Sequence, residues 1–297
     1  MTEETSRKYV DLDIWPVREA VQAMYDGQVD AVAAVQSALD DVAKAAEAAA
    51  LRLGDKGRLV YVGAGTSGRL AVLDGSELGP TFGWSFDRLV FCMAGGTEAL
   101  MKSAEGAEDS TEDGRNAIQD VDIYPDDVVF CVAASGHTPF TLGALKEAKA
   151  RGAMTIGIAN NVGTPILTEA DYPVLVETGS EIIAGSTRMK AGTAQKAVLN
   201  MLSTTIMTCL GRVYNGFMVD MIISNTKLEA RAVNMVSEIA TCSADAARAA
   251  LMETDNDIKA AILVCFGASV TDSETILKQA GGNLRQALSD MQGYVSS

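Results

Sequence analysis

Five short, nearly uninterrupted apolar runs, spaced between stretches of helical periodicity, constrain this chain more than any other feature. They are Arg58–Gly63 (RLVYVG), Leu89–Met93 (LVFCM), Asp127–Ala133 (DVVFCVA), Met154–Ala159 (MTIGIA) and Tyr172–Val176 (YPVLV). A strand with one wet face alternates apolar and polar residues. A run that stays apolar throughout fits a strand covered on both faces, as in a parallel sheet with helices above and below. Helical patterns over Thr66–Leu78, Glu98–Glu105, Glu112–Gln119 and Thr138–Ala150 lie between the runs and supply the crossovers. The expected class is therefore α/β, with a parallel sheet in a three-layer α/β/α arrangement.

Two flanking regions read differently. Residues 1–57 are helical in pattern, with Ala, Val and Leu at three-to-four spacing over Val17–Met24 and Val29–Leu53. From Thr193 to Ala240 the pattern is wholly helical, and the Ala-rich tail breaks at Gly267 and Gly281-Gly282. The expected organisation is a helical segment over 1–57, an α/β domain over 58–232 and a small helical bundle over 233–297.

Charge and cysteine usage remove several function classes. Lys and Arg number 24 against 39 Asp and Glu, a formal charge of -15, which argues against a nucleic-acid partner or an anionic membrane surface. No apolar run approaches the length of a membrane span, and the polar start MTEETSRKYVDLD is no secretory signal. The 5 cysteines include no CxxC pair and there is 1 histidine, so neither a zinc site nor any other metal is expected. Cys92 and Cys131 lie inside apolar runs and read as small core residues. The picture is of a soluble, cytoplasmic, metal-independent protein.

Three turns at the ends of predicted strands carry hydroxyls among small residues. Gly63-Ala64-Gly65-Thr66-Ser67-Gly68 satisfies GxGxxG, but the second strand ends Met93-Ala94-Gly95-Gly96, without the acidic residue that a dinucleotide site needs. No Walker lysine is present either. Gly65, Thr66 and Ser67 at a helix start suit a small phosphate monoester, or else make an ordinary capped turn. Ser135, Gly136, His137 and Thr138 precede another helix, and Ser186, Thr187, Arg188 and Lys190 a third. Converging at the carboxyl ends of parallel strands, these turns outline a sugar-phosphate crevice. His137 is read as a pocket residue or a solvated loop histidine, and Lys190 as an anion partner or a surface charge. Glu77 and the cluster Glu105–Ser110 are, on composition alone, solvated acids.

At greater length the wording resembles the N-acetylmuramic acid 6-phosphate etherases. The residues that carry the likeness are Tyr61–Leu70 (YVGAGTSGRL), Asp74–Gly83 (DGSELGPTFG), Glu105–Ser110 (EGAEDS), Ala133–Gly136 (AASG) and Gly185–Lys196 (GSTRMKAGTAQK), and it spans about 25 to 290. The resemblance implies a sugar isomerase (SIS) domain in a homodimer, binding a sugar phosphate and needing no cofactor. It implies cleavage of the D-lactyl ether in peptidoglycan-sugar recycling. It also matches Glu77 and Glu108 to the family's paired glutamates, with proton donation to lactate assigned to Glu77 and proton abstraction at C2 to Glu108. One of the two is then expected to hold its proton more tightly, through burial or its like-charged partner. Ser67, Ser135 and Ser186 match positions that contact the sugar phosphate. Departures are Leu78-Gly79-Pro80, where the family commonly has cysteine and two prolines, His137 in place of arginine, and the segment RKYVDLDIWPV. A sugar-phosphate sensor resembling glucokinase regulatory protein and an aldose–ketose isomerase are the competing readings, and neither needs the glutamate pair.

Overall fold

The computed structural model describes residues 1–102 and 104–295. The chain divides into two compact units, one of Met1–Ser76 with Phe86–Thr205, the other of Glu77–Ser85 with Ile206–Ser297.

In the first unit, α1 (Val17–Ala34) and α2 (Leu39–Leu53) precede the sheet. α2 forms because Val42, Ala45, Ala46, Ala49, Ala50 and Leu53 recur at helical spacing and bury one face. Then come β1 (Leu59–Gly63), α3 (Gly65–Ser76), β2 (Leu89–Met93), α5 (Thr111–Asp120), β3 (Val128–Val132), α6 (Pro139–Ala150), β4 (Met154–Ala159), α7 (Pro165–Glu169) and β5 (Tyr172–Leu175), with α4 (Leu78–Phe82) inserted from the second unit. α8 (Lys190–Cys209) follows. The strand order is β2-β1-β3-β4-β5, every pairing parallel. Val60, Val62, Val129 and Cys131 pack against Ile118, Phe140, Leu145 and Ile166 from the helices α5, α6 and α7. Tyr61 points to the opposite face, where its hydroxyl donates to Asp74 of α3. These are the three expected layers. Cys92 and Cys131 are buried, and burial pushes the Cys92 thiol up to about 12.

All five expected strands form, because fully buried strands leave continuous apolar runs. One expected helix does not. Among the described residues of 98–105 only a single 3-10 turn at Thr97–Leu100 appears, and Gly95, Gly96 and Gly106 take positive φ. The unbroken helical reading of Thr193–Ala240 is also corrected. α8 stops at Cys209, and β6 (Val213–Tyr214) and β7 (Phe217–Met218) pair antiparallel around Asn215-Gly216, both at positive φ. Asn-Gly between apolar pairs is a strong hairpin signal, and here it outweighs the surrounding helical composition.

The second unit continues with α9 (Thr226–Ala240), α10 (Ala244–Glu253), α11 (Ile258–Cys265), α12 (Val270–Gln279) and α13 (Leu284–Val295). Asn225, Ser243, Asp257 and Ser269 cap the starts of α9 to α12, each side chain accepting the N–H three residues on. Val233, Val236, Leu251, Ile258, Ile262, Leu277 and Leu284 form the core. The excursion Glu77–Ser85 is tied in by Arg212, whose Nη1 donates to Phe82 O at 2.6 Å and whose guanidinium lies over the Trp84 ring. The expected boundary at 232 falls within α9, a continuous helix; no linker marks a division there. Among the described residues, no single helix is long and apolar enough to cross a membrane.

Candidate active site

β1 and β3 are adjacent in the sheet, but the chain leaves β1 toward β2 on one side and returns to β3 on the other. Their carboxyl ends therefore open the crevice expected of such sheets. At β1, a side chain on Gly63 would meet Gly68 Cα at 2.9 Å, so helix and strand approach at backbone contact. Gly65 takes φ +53 and turns the chain into α3. Thr66 is half-buried and its methyl lies against Gly192 in the first turns of α8.

Ser67 is buried, and its hydroxyl donates to Gln195 Oε1 at 2.9 Å. Gln195 Nε2 donates to Asn160 Oδ1 at 3.0 Å, and the Asn160 backbone N–H donates to Ala134 O at 3.0 Å. A chain of amides thus joins the turn after β1 to α8, to the end of β4 and to the turn after β3. Asn161 adds bonds from its Nδ2 to Ala134 O and Ser135 O.

In the turn after β3, Ser135 Oγ accepts from the His137 backbone N–H at 3.2 Å. His137 is exposed, and its Nδ1 stands 2.9 Å from Ser135 O; a carbonyl only accepts, so Nδ1 carries the hydrogen. Gly136 takes φ +71 directly under Thr164. Thr138 precedes α6, whose first residue is Pro139.

The third turn is organised by an unforeseen residue. Glu181 is fully buried, and its carboxylate accepts the Lys190 and Ala191 backbone N–H groups, both at 2.9 Å. The protein's own anion therefore occupies the start of α8, where a phosphate would otherwise fit. Lys190 Nζ donates to Ser180 O at 3.2 Å. Ser186 and Thr187 are half-buried in the preceding turn, and Thr187 O accepts from Gly192 N at 2.8 Å. The hydroxyl-bearing residues, rather than the α8 helix end, are what this turn offers a ligand.

The loop made by Gly95, Gly96 and Gly106 brings Glu108 back to the β1 turn. Its carbonyl accepts from Phe140 N at 3.0 Å, and its Oε2 lies 4.0 Å from the point where Gly65 would carry a Cβ. Ala64, Gly65, Arg69, Met93, Ala94 and Glu108 line a hollow of about 140 Å³. Glu77 belongs to the second unit, at the N-cap position of α4. Both glutamates are exposed in the single chain, so the expected burial of one of them is not found.

The first unit thus brings Glu108 beside Gly65 and ties Ser67, through Gln195 and Asn160, to Ala134 in the turn that carries Ser135. Sequence reasoning missed Asn160, Asn161, Gln195 and Glu181. Gln195 lay within the quoted GSTRMKAGTAQK stretch, and the Asn160-Asn161 pair directly follows a strand, the one local signal for it.

Residues 41–149 match the glucokinase regulatory protein N-terminal SIS domain, and residues 115–205 match the SIS domain. An N-acetylmuramic acid 6-phosphate etherase of Deinococcus radiodurans is 48% identical over 297 residues, covering 100% of this chain and 97% of that protein. This chain belongs to the N-acetylmuramic acid 6-phosphate etherase family. The etherase of Mesorhizobium japonicum is 43% identical, over 98% of this chain and 95% of its own, and that of Salmonella choleraesuis is 42% identical, over 97% of each. Among solved structures, a phosphoheptose isomerase from Francisella tularensis superposes with a TM-score of 0.50 at 15% identity, over 65% of this chain and 100% of its own. That likeness concerns the fold alone. The etherase relatives span the helical tail as well, whereas the regulatory-protein match stops at 149.

Proposed function

We propose that this protein cleaves the D-lactyl ether of N-acetylmuramic acid 6-phosphate, giving N-acetylglucosamine 6-phosphate and D-lactate. The observation that carries this reading is Glu108, a carboxylate at the Gly65 turn of a hydroxyl-lined crevice, in a chain similar to etherases along its full length.

The chemistry starts from the ring-opened sugar, whose C1 aldehyde acidifies the proton on C2. Glu108 removes that proton, the electron pair forms the C2–C3 double bond, and the C3–O bond breaks. Lactate leaves as an alkoxide, which needs a proton; Glu77 supplies it. Water then adds to C3 of the unsaturated aldehyde, C2 regains a proton, and the same two carboxylates return to their starting states. Thr66, Ser67, Ser135, Gly136, His137, Thr138, Ser186 and Thr187 hold the phosphate and the sugar hydroxyls, with Ser67 set in place by Gln195. Lys190 has its ammonium on Ser180 O and contributes charge at longer range. An aldose–ketose isomerase would need no donor at C3.

The protein is read as a homodimer. The apolar residues Val198, Leu199, Leu202 and Ile206 of α8 are buried within the single chain. The unpartnered surface lies instead on α1, where Val17, Val21, Tyr25 and Val32 form an exposed stripe at helical spacing. A phosphorylated substrate and free cysteines fit a cytoplasmic role in peptidoglycan-sugar recycling.

Turnover in heavy-oxygen water tests the reaction. Unlabelled D-lactate, with label in the C3 hydroxyl of the amino sugar, is the expected outcome; label in lactate, or no lactate at all, would remove the proposal.

A further inference from the structure

Thr2 is fully buried, although every neighbour from Met1 to Tyr9 is exposed or half-buried. A polar residue goes under only where its hydrogen bonds are met, and here one side chain meets them. The Thr2 backbone N–H donates to Asn161 Oδ1 at 3.0 Å, and Asn161 Nδ2 donates to Thr2 Oγ1, also at 3.0 Å. A backbone N–H only donates, so the atom facing it is the amide oxygen and the orientation of Asn161 is settled.

Asn161 is itself buried, and the same amide reaches the turn after β3. Its Nδ2 also donates to Ala134 O at 3.2 Å and to Ser135 O at 3.4 Å. An amide nitrogen carries two hydrogens, so Thr2 Oγ1, Ala134 O and Ser135 O share them. Thr2 offers the shortest of the three contacts and also holds the oxygen end. It therefore sets the direction in which Asn161 presents its N–H groups to the Ser135 turn. From the other side, His137 Nδ1–H holds Ser135 O at 2.9 Å.

Glu3 places the same segment at a second turn of the site. A side chain on Gly185 would stand 2.9 Å from Glu3 Oε2, so that carboxylate lies against the turn carrying Ser186 and Thr187. Residues 2 and 3 thus reach both hydroxyl-bearing turns, one through Asn161 and the other directly.

Resting on the etherase reading, we propose that Thr2 is a positioning residue of the sugar-phosphate site. It orients Asn161, which holds the Ser135 turn in the shape that receives the ligand. Its effect passes through one amide to two backbone carbonyls, and so acts on sugar-phosphate binding and not on proton transfer. A contact that grips substrate and transition state equally changes KM and leaves kcat alone.

Thr2→Val tests this, since it keeps the side chain's shape and the backbone N–H and removes only the oxygen that Asn161 uses. Losing one such bond is worth a factor of about five, and KM for N-acetylmuramic acid 6-phosphate should rise by about that factor. The kcat should stay within about twofold of wild type. Thr2→Ser restores the oxygen and should restore KM. Deleting residues 2–5 is the second variant; it removes both bonds to Asn161 and should raise KM further with the same split. His137 gives an independent signal, as the single histidine of the chain. At about pH 8, above the usual imidazole range, nitrogen NMR should find its hydrogen on Nδ1 in the wild type and moving toward Nε2 in Thr2→Val. Unchanged KM in both Thr2→Val and the deletion overturns the proposal. A lower KM also overturns it, by making the segment a competitor of the substrate, as does a rise that Thr2→Ser fails to reverse or that is matched by a fall in kcat. A wild-type protein that releases no lactate removes the etherase reading instead. The Kd of N-acetylglucosamine 6-phosphate, measured by calorimetry, then replaces KM in the same comparison, and a wild type that binds neither sugar removes both readings.

Discussion

Near the end of α3, Asp74 accepts from Tyr61 Oη at 2.9 Å, Ser203 Oγ at 3.1 Å and Asn200 Nδ2 at 2.5 Å, and two substitutions there separate hydrogen bonding from charge. Asp74 is 5% exposed, Tyr61 1% and Ser203 2%, so the donors around the carboxylate have little water to turn to. Asp74→Ala strands the Tyr61 hydroxyl, the Ser203 hydroxyl and the Asn200 amide. Each buried donor left without a partner costs about 1–3 kcal/mol. Members of one network do not add fully, so the expected loss is about 3–5 kcal/mol. That is a large share of the roughly 5–15 kcal/mol of a typical domain. Asp74→Asn keeps an oxygen for Asn200 and Ser203 and presents an N–H₂ to Tyr61, whose hydroxyl can accept instead of donating; its expected cost is below about 1 kcal/mol.

The same pair carries a pH signature. Burial pushes the Asp74 carboxyl above its ordinary value, against the lowering pull of Asn200, Tyr61 and Ser203. The folded state thus holds this proton more tightly than the unfolded chain does. The stabilisation from that difference is complete below the unfolded value, near 4, and is lost as pH rises through the higher folded value. Urea midpoints measured from pH 3 upward (roughly the unfolded aspartate range) should therefore shift in favour of Asp74→Asn over wild type as pH rises, then level off. Equal losses for the alanine and asparagine variants would refute the hydrogen-bond account. A wild-type advantage that grows with pH would refute the sign.

Two further outcomes follow from buried contacts in the first unit. Arg58 Nη2 pairs with the fully buried Asp127 at 2.6 Å, so Arg58→Met should cost about 3–5 kcal/mol in urea unfolding. Asp127 also accepts the Arg58 and Tyr124 backbone N–H groups, so Arg58→Met with Asp127→Asn, which removes the charge and keeps an oxygen acceptor, should recover part of that loss; a double variant no better than the single would count against an uncompensated buried charge. Gly136→Ala places a methyl 2.2 Å from Thr164 Oγ1 at a φ of +71. The kcat/KM for lactate release should drop at least about tenfold with near-wild-type circular dichroism, because a misplacement of about 1 Å in a positioning turn is costly; unchanged kinetics would exclude this turn from the site.

Much of the fold was legible because its signals are local. The five strands announced themselves as apolar runs, and the glycine turns after β1 and β3 as small residues at strand ends. Where local signals competed, reading failed: helical composition masked the Asn215-Gly216 hairpin, and apolar spacing around Glu98 hid three glycines that unwind the chain. At 232 no local signal separates two segments, since α9 continues through it.

The site was legible only in its parts. Residue types and wording singled out Ser67, Ser135, Glu77 and Glu108, but not how they are held. Ser67 is fixed by Gln195, 128 positions on, and Asp74 by Asn200, 126 positions on. Glu181 closes the start of α8 from the loop 9 and 10 positions upstream of the N–H groups it accepts. Composition and periodicity determine which segments must hide from water, because burial follows from each residue's own chemistry. Which buried polar groups then satisfy one another is decided only when distant segments meet in three dimensions.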